Sequence, residues 1–405
     1  MKILVVCQYY YPEPFRIKDI CETLVQRGHQ VTVLTGLPNY PEGHVLDDYR
    51  CGRKRNEILN GVKVIRTFEI GRGNSSSKLF LNYLSFFISA SFKALLMKEK
   101  YDIVFVNQLS PVMMCIPAMV YKKKHNINML IYCLDLWPDS LAARGVSESS
   151  IIYKVFLRIS RWIYKSANSI LVTSNMFKDY FLNTLGLPIT NIEYLQQYAE
   201  DIFSMCVGSK EGEIKDSNEG FIFVFAGNIG EMQSVETIIK AANEVHAHSN
   251  ITFHIVGDGT KLEECKQLAD SFDLSNIVFY GRRPVEEMPY FYSMADAMLI
   301  TLKNNKALSY TLPGKIQSYM AAGRSIIGAI NGETSFVIKD ADCGLCCNAE
   351  DYMGLAKLIL QFCDSDRKEQ MALNSRTYYI NNYSKERFIT RLENAMISME
   401  ANNNV

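Results

Sequence analysis

The sequence predicts an α/β protein made of two doubly wound, Rossmann-like parallel-sheet domains that face each other across a cleft. Three observations carry this. Short apolar runs alternate with helix-period segments along almost the whole chain. The runs are apolar at nearly every position rather than at every second one, as in strands covered on both faces. The alternation breaks at a polar, Gly- and Ser-bearing stretch, Val207 to Gly220, and then begins again.

The first unit of the pattern is clear. Lys2–Cys7 reads as a strand; it is too short for a leader h-region and runs into Gln8-Tyr9-Tyr10-Tyr11-Pro12. Ile17, Ile20, Cys21, Leu24 and Val25 follow at the spacing of one helical face, and Gly28 stops the helix. Gln30–Thr35 is the next strand, so the two strands are expected to be parallel. Further strands are expected at Val62–Thr67, Ile103–Asn107, Met129–Leu134 and Ile170–Thr173, closing a domain over residues 1–205. After the polar stretch come Phe221–Phe225, Ile251–Val256, Ile277–Tyr280, Ala297–Leu302, Ser325–Ile330 and Gly344–Cys347, a second domain over residues 206–383.

Composition limits the function. The 405 residues carry 43 Lys+Arg and 43 Asp+Glu, which argues against a general nucleic-acid binder. The balance hides an asymmetry: residues 1–205 hold 24 basic against 17 acidic residues, and residues 206–405 hold 19 against 26. A basic N-terminal half fits an anionic partner such as phosphate or a membrane surface. The eleven Cys are scattered, and Cys343-Gly-Leu-Cys346 lacks the second ligand pair a zinc site needs, so it reads as packing. Leu79 to Met97 is long and apolar, with Asn82, Ser85, Ser89 and Lys93 forming one narrow polar stripe. A membrane span, a buried core helix and an in-plane membrane-docking helix all remain open for it.

Ligands of open parallel sheets bind beyond the carboxyl ends of the strands, so the strand-exit loops matter most. In the second half these are Ala226-Gly227-Asn228-Ile229-Gly230, Gly257-Asp258-Gly259-Thr260, Gly281-Arg282-Arg283, Pro313-Gly314-Lys315 and Asn331-Gly332-Glu333. Glycines let backbone N–H groups approach a phosphate, and a helix start favours negative charge. Lys315 in a first helical turn opposes the helix dipole, a conflict that a bound phosphate would reverse. Together the loops look like a nucleotide-diphosphate site. Neither GxGxxG after the first strand nor GxxxxGK[ST] is present, which argues against a dinucleotide site and a P-loop. In the first half, Tyr11, Tyr40 and Trp137 lie in strand-exit loops and suit stacking on sugar rings, and Asp135 directly follows a strand.

These loops resemble those of the retaining glycosyltransferases of family 4, with the GT-B fold, and more narrowly the bacterial N-acetyl-L-fucosamine transferases of O-antigen and capsule assembly. The residues that carry the resemblance are Tyr11-Pro12-Glu13-Pro14, Pro38-Asn39-Tyr40-Pro41-Glu42-Gly43, Asp135-Leu136-Trp137-Pro138-Asp139-Ser140, Gly227-Asn228-Ile229-Gly230, Gly257-Asp258-Gly259, Pro313-Gly314-Lys315 and Tyr319-Met320-Ala321-Ala322-Gly323. The resemblance implies a UDP-sugar donor in the C-terminal domain and a polyprenyl-diphosphate-linked sugar acceptor in the N-terminal one, at the inner face of the cytoplasmic membrane. It implies no metal and no cofactor, and a last helix, within residues 384–405, that crosses back onto the first domain. The sequence departs from the family where two Glu seven residues apart are usual, with Tyr310 and Ser318 in their places. Asn228 stands for an expected Arg and Gln233 lies near the place of an expected Lys. Lys315 and Arg282 are then the candidates for balancing the leaving diphosphate, together with a helix start at Gly230. Pro313, Gln317 and Glu333 are candidates for holding ribose or sugar, and Asp135 and Glu13 for orienting the acceptor. Gln108 and Ser110 occupy the region of the family's usual His. Two other readings stand beside the transferase: a UDP-sugar 2-epimerase of the same architecture, and a non-catalytic nucleotide-sugar-binding subunit.

Overall fold

The computed structural model describes residues 1–142, 145–204 and 220–401. The polar stretch read as a linker lies outside the described residues, apart from Gly220. The chain forms two compact units, Met1–Leu195 with Ile389–Val405, and Gln196–Phe388.

In the first unit the elements run β1 (Lys2–Val6), α1 (Ile17–Gln26), β2 (Gln30–Thr35), β3 (Asn56–Leu59), β4 (Val62–Arg66), α2 (Ser76–Leu96), β5 (Ile103–Gln108), α3 (Ile116–His125), β6 (Asn128–Cys133), α4 (Ile151–Lys165), β7 (Ser169–Val172) and β8 (Ile192–Tyr194). Their sheet order is β3-β4-β2-β1-β5-β6-β7-β8. β1 is parallel to both neighbours, with Val5 opposite Val33 and Phe105. It is buried from Ile3 onward, which explains its unbroken apolar run. α1 turns Ile17, Ile20, Cys21 and Leu24 onto the sheet. Two strands escaped the sequence reading. β3 is an edge strand, antiparallel to β4, joined to it by Asn60-Gly61 with φ of 47° and 83°. That pair of positive φ values is why Asn-Gly occupies the turn. β8 is only three residues long.

α2 is apolar on both sides: it buries Phe86, Ala90 and Ala94, and with them the polar Asn82. Its polar stripe faces inward: Asn82 is fully buried, and Asn82 Nδ2 donates to Glu69 Oε1 (2.7 Å) and to the Ile70 carbonyl (2.7 Å). Ser85 Oγ accepts from the Ile70 N–H (3.0 Å). The segment after β4 would otherwise leave these backbone groups unpaired, so the helix meets it with polar side chains. Phe80, Ile88 and Phe92 are left 55%, 54% and 63% exposed. The helix is long and apolar enough to cross a membrane, and its most apolar window is 22% buried. The buried-core alternative is therefore corrected: this helix offers its apolar face to the outside.

The second unit runs β9 (Phe221–Ala226), α5 (Val235–Glu244), β10 (Ile251–Val256), α6 (Leu262–Ser271), β11 (Ile277–Gly281), α7 (Met288–Met294), β12 (Ala297–Thr301), α8 (Gly314–Ala321), β13 (Ser325–Ala329), α9 (Glu333–Asp340), β14 (Gly344–Cys347), α10 (Tyr352–Asp364) and α11 (Lys368–Tyr383). All six strands are parallel, in the order β11-β10-β9-β12-β13-β14. Phe223 packs on Phe253 and Phe362 with ring centroids 5.8 and 6.0 Å apart, in a core shared with α5 and α10. Truncating such a ring costs about 3–5 kcal/mol. A last helix, α12 (Lys385–Ala401), belongs to the first unit for most of its length: Glu393 accepts from Arg27 and bonds His29, and Asn128 Nδ2 donates to the Met399 carbonyl (2.5 Å). The order reverses at β1 in one sheet and at β9 in the other, so the loops after these strands and their neighbours open at the switch points.

Candidate functional site

In the second unit the strand-exit loops after β9 and β10 continue the parallel pairing past the sheet. The Gly227 N–H donates to the Val256 carbonyl and the Ile229 N–H to the Asp258 carbonyl, both at 2.8 Å. This brings two backbones so close that a Cβ on Gly257 would lie 1.8 Å from the Gly227 oxygen. The result is a shelf of bare backbone on one side of a pocket of about 650 Å³. Asn228, Asp258, Gly259, Arg282 and Arg283 are among its other lining residues. Arg282 is exposed, while Arg283 is drawn aside by the Tyr280 carbonyl (3.2 Å) and Glu287 (3.8 Å).

Lys315 arrives at this shelf from α8. The helix is fixed by Tyr319, one turn further on: its hydroxyl accepts from the Ala226 N–H (3.2 Å) and donates to the Ala226 carbonyl (3.1 Å). Residues four apart share a helix face, so Lys315 is aimed at the residue after Ala226. A Cβ on Gly227 would lie 2.2 Å from Lys315 Cε and 2.7 Å from Nζ. Nζ also sits 3.8 Å from the centre of the Phe225 ring, a cation–π geometry. Among the described residues Lys315 makes no ion pair. Burial without a counter-charge pushes its ammonium down from 10.5 to about 7. A cation held beside a glycine shelf at the N-terminus of a helix is equipped to receive a phosphate.

The other sequence candidates fall into distinct environments. Asn228 and Gln233, where an Arg and a Lys are expected, bond each other at 3.1 Å. Gly230 is not the helix start: a short 3-10 turn intervenes and α5 begins at Val235, after Ser234 in the left-handed region. Asp258 does not cap a helix; its Oδ1 accepts from the next N–H, of Gly259, at 2.7 Å. Pro313 is the residue before α8. Gln317 is buried, its amide donating to the Gly314 and Pro313 carbonyls (3.1 Å each) and accepting from Gln196. Tyr310 is half-buried, and Glu333 is the first, buried residue of α9. The two loops that bear them meet, since a Cβ on Gly332 would lie 2.0 Å from the Ser309 oxygen and Thr334 Oγ1 donates to the Thr311 carbonyl (3.1 Å).

In the first unit a second cluster forms beyond β5 and β6. Ser110 donates to the Asp135 carboxylate and accepts from Trp137 Nε1 (2.8 Å), and the Ser110 and Ser140 hydroxyls are 3.4 Å apart. Gln108 Nε2 donates to the Asp135 carbonyl (3.0 Å), which steadies the same loop. Glu13 does something else. Its Oε1 accepts from the Asn39 (2.9 Å) and Tyr40 (2.8 Å) N–H groups, and its Oε2 from the Tyr10 N–H (3.1 Å). It thus clamps the loops after β1 and β2, and burial still raises its carboxyl from 4.5 to about 7. The aromatics partly pack on one another: Phe15 stands 5.0 Å from Tyr9 and 5.3 Å from Tyr40. Trp137 is buried, and Tyr11 is the candidate ring left exposed, with Lys18 Nζ 5.2 Å from its centre. The sequence reading missed the network behind them, in which Gln8 Nε2 donates to Glu69 (2.8 Å) and Asn82 (2.9 Å). Its visible signal was a carboxylate, Glu69, just past a strand.

Two doubly wound sheet units, each opening at its own switch point, are the architecture of the GT-B glycosyltransferases. The chain carries the two domains of that class: residues 16–196 match the model of Glycosyltransferase Family 4, and residues 209–382 that of Glycosyl transferases group 1. It is 25% identical over 260 residues to the probable glycosyltransferase WbjE of Pseudomonas aeruginosa, covering 63% of this chain and 64% of WbjE. It is 23% identical over 339 residues to WcaI of Escherichia coli (strain K12), whose name assigns it to colanic acid biosynthesis as a glycosyl transferase, covering 81% and 83%. Anabaena Alr3699/HepE, solved in complex with UDP and glucose, has the same fold, with a TM-score of 0.69 at 14% identity over 98% of this chain and all of that one.

Proposed function

We propose that this chain moves a sugar from a UDP-sugar to a polyprenyl-diphosphate-linked sugar during assembly of a bacterial surface polysaccharide of the O-antigen or capsule kind, with N-acetyl-L-fucosamine as the transferred residue. The observation that carries the donor half is Lys315 Nζ against Gly227, where it can meet a diphosphate laid on the glycine shelf. The complex of HepE with UDP and glucose supports a UDP-sugar, and the name of WcaI supports a surface polysaccharide.

Breaking the glycosidic bond builds positive charge on the sugar and negative charge on the departing diphosphate. Lys315 is the principal group that receives that charge, assisted by Arg282. With the charge met by side chains, the reaction runs without a metal, and retention follows if the leaving phosphate takes the acceptor's proton on the same face. Asp135, already bonded to Ser110, orients the acceptor hydroxyl. Glu13 acts by holding the loops, its oxygens being occupied by three N–H groups. The 2-epimerase reading is disfavoured because, among the described residues, Asp258 is the one carboxylate lining the donor pocket, and an epimerase needs an acid–base pair. The exposed apolar face of α2 supports a peripheral position on the inner face of the cytoplasmic membrane.

The test is incubation with a panel of UDP-sugars, UDP-N-acetyl-L-fucosamine among them, and a polyprenyl-diphosphate-linked N-acetylsugar in EDTA, read by mass spectrometry. A gain of one N-acetylated deoxyhexose is expected. Tight UDP binding with no product from any donor–acceptor pair would overturn the transferase reading in favour of a binding subunit.

A further inference from the structure

A second pocket, of about 360 Å³, lies wholly within the first unit. Leu79, Phe80 and Tyr83 of α2, Leu141 of the short helix Asp139–Ala142, Val146, and Phe156 of α4 give it apolar walls. Its lining is polar chiefly where Ser110 and Ser140 meet, beside Trp137. Ser110 is the residue bonded to Asp135, the group assigned to the acceptor. A sugar would find few hydrogen-bond partners on such walls, whereas a hydrocarbon chain with a polar head would be matched at both ends.

The surroundings narrow the occupant. Phe80 both lines the pocket and is more than half exposed, on the side of α2 that also presents Ile88 and Phe92. On α4, Ile152, Val155 and Trp162 recur at helical spacing and are exposed, while Phe156 of the same helix enters the pocket. The helices that wall the pocket therefore also carry the apolar faces suited to a bilayer. Between them they hold Lys78, Lys93, Lys154, Arg158, Arg161 and Lys165, and neither contains Asp or Glu. That excess suits a lipid whose head is a diphosphate.

We propose that this pocket receives the first units of the acceptor's isoprenoid chain, entering from the bilayer between α2 and α4, so that the sugar beyond the diphosphate is delivered to Ser110 and Asp135. The inference rests on the reading that the acceptor is a polyprenyl-diphosphate-linked sugar.

The sequence has two tryptophans, Trp137 in the pocket and Trp162 on the outer face of α4. In full-length Trp162→Phe, Trp137 becomes the sole indole reporter, and farnesyl diphosphate is the probe. A saturable change in Trp137 emission is expected with farnesyl diphosphate and none with inorganic diphosphate. Val146→Phe or Leu141→Phe, placed in the same background to fill the pocket from its half-buried wall, should weaken the response at least tenfold with UDP affinity unchanged. No response from Trp137, or an undiminished response in both filled variants, overturns the pocket. An equal response to dodecyl phosphate overturns the isoprenoid assignment. UDP binding without a farnesyl response removes this inference alone, and a farnesyl response without UDP binding removes the donor reading and supports the pocket.

Discussion

Replacing Lys315 by Met should make the protein more stable and a poorer binder of UDP at the same time. The amine is held near pH 7 rather than 10.5 by burial. At about 1.4 kcal/mol for each pH unit, keeping it charged in the folded state costs up to about 5 kcal/mol below pH 7. The contact with Phe225 and the half-buried position return part of that, leaving a net gain for methionine of roughly 1–3 kcal/mol. At about 2–4 °C per kcal/mol, the melting temperature should rise by several degrees. The sign with pH is fixed as well. A lysine with a depressed folded pKa leaves the folded state short of a proton between about pH 7 and 10.5, so stability in the wild type climbs with pH across that window. The variant should lose that climb. UDP affinity should fall by one to two decades through loss of a charge-assisted hydrogen bond. In the wild type, UDP should bind with proton uptake at pH 8, because the diphosphate recharges the amine. Thermal scans at several pH values and calorimetric titrations in buffers of different ionisation enthalpy read all of this. A variant with a lower melting temperature and unaltered UDP affinity would refute the reasoning.

Gly227→Ala should weaken UDP binding at least tenfold in the same calorimetric assay, since its methyl would occupy the space of Lys315 Cε. The buried carboxyls of Glu13, raised to about 7, and of Glu69, raised well above its usual value, give the folded state extra protons; stability should fall as pH rises from about 4.5 through 7, and Glu69→Gln should flatten that fall. The combined Ile88→Ser, Phe92→Ser and Leu95→Ser substitutions should release the protein from anionic vesicles in a flotation assay while leaving its melting temperature unchanged or higher, because these side chains face outward.

The parallel strands were legible because a strand covered on both faces must be apolar throughout, and Lys2–Val6, Gln30–Thr35 and Ile251–Val256 fell within a residue of their expected ends. β3 was not, since an edge strand reading Asn-Glu-Ile-Leu has no continuous apolar run, although its Asn60-Gly61 turn was in plain view. The Lys315 site was legible as a conflict between a lysine and a helix dipole. What fixes its reach, the Tyr319 hydroxyl on Ala226, joins residues 93 positions apart and leaves no local trace. The inward face of α2 was not legible for a similar reason. A polar stripe is ordinarily the wet side of a helix, and here its partners are backbone groups just after β4.

Because the first unit is discontinuous in sequence, the order of synthesis matters. The second unit, Gln196–Phe388, is one uninterrupted segment and is complete before the ribosome has made the stretch that the first unit still lacks. Until then Asn128, Arg27 and His29 wait for partners on α12, and an incomplete core displays the apolar surface that chaperones and proteases recognise. A nonsense mutation early in α12, before Glu393, would thus damage the half of the enzyme made first, while the half made later folds around its own core.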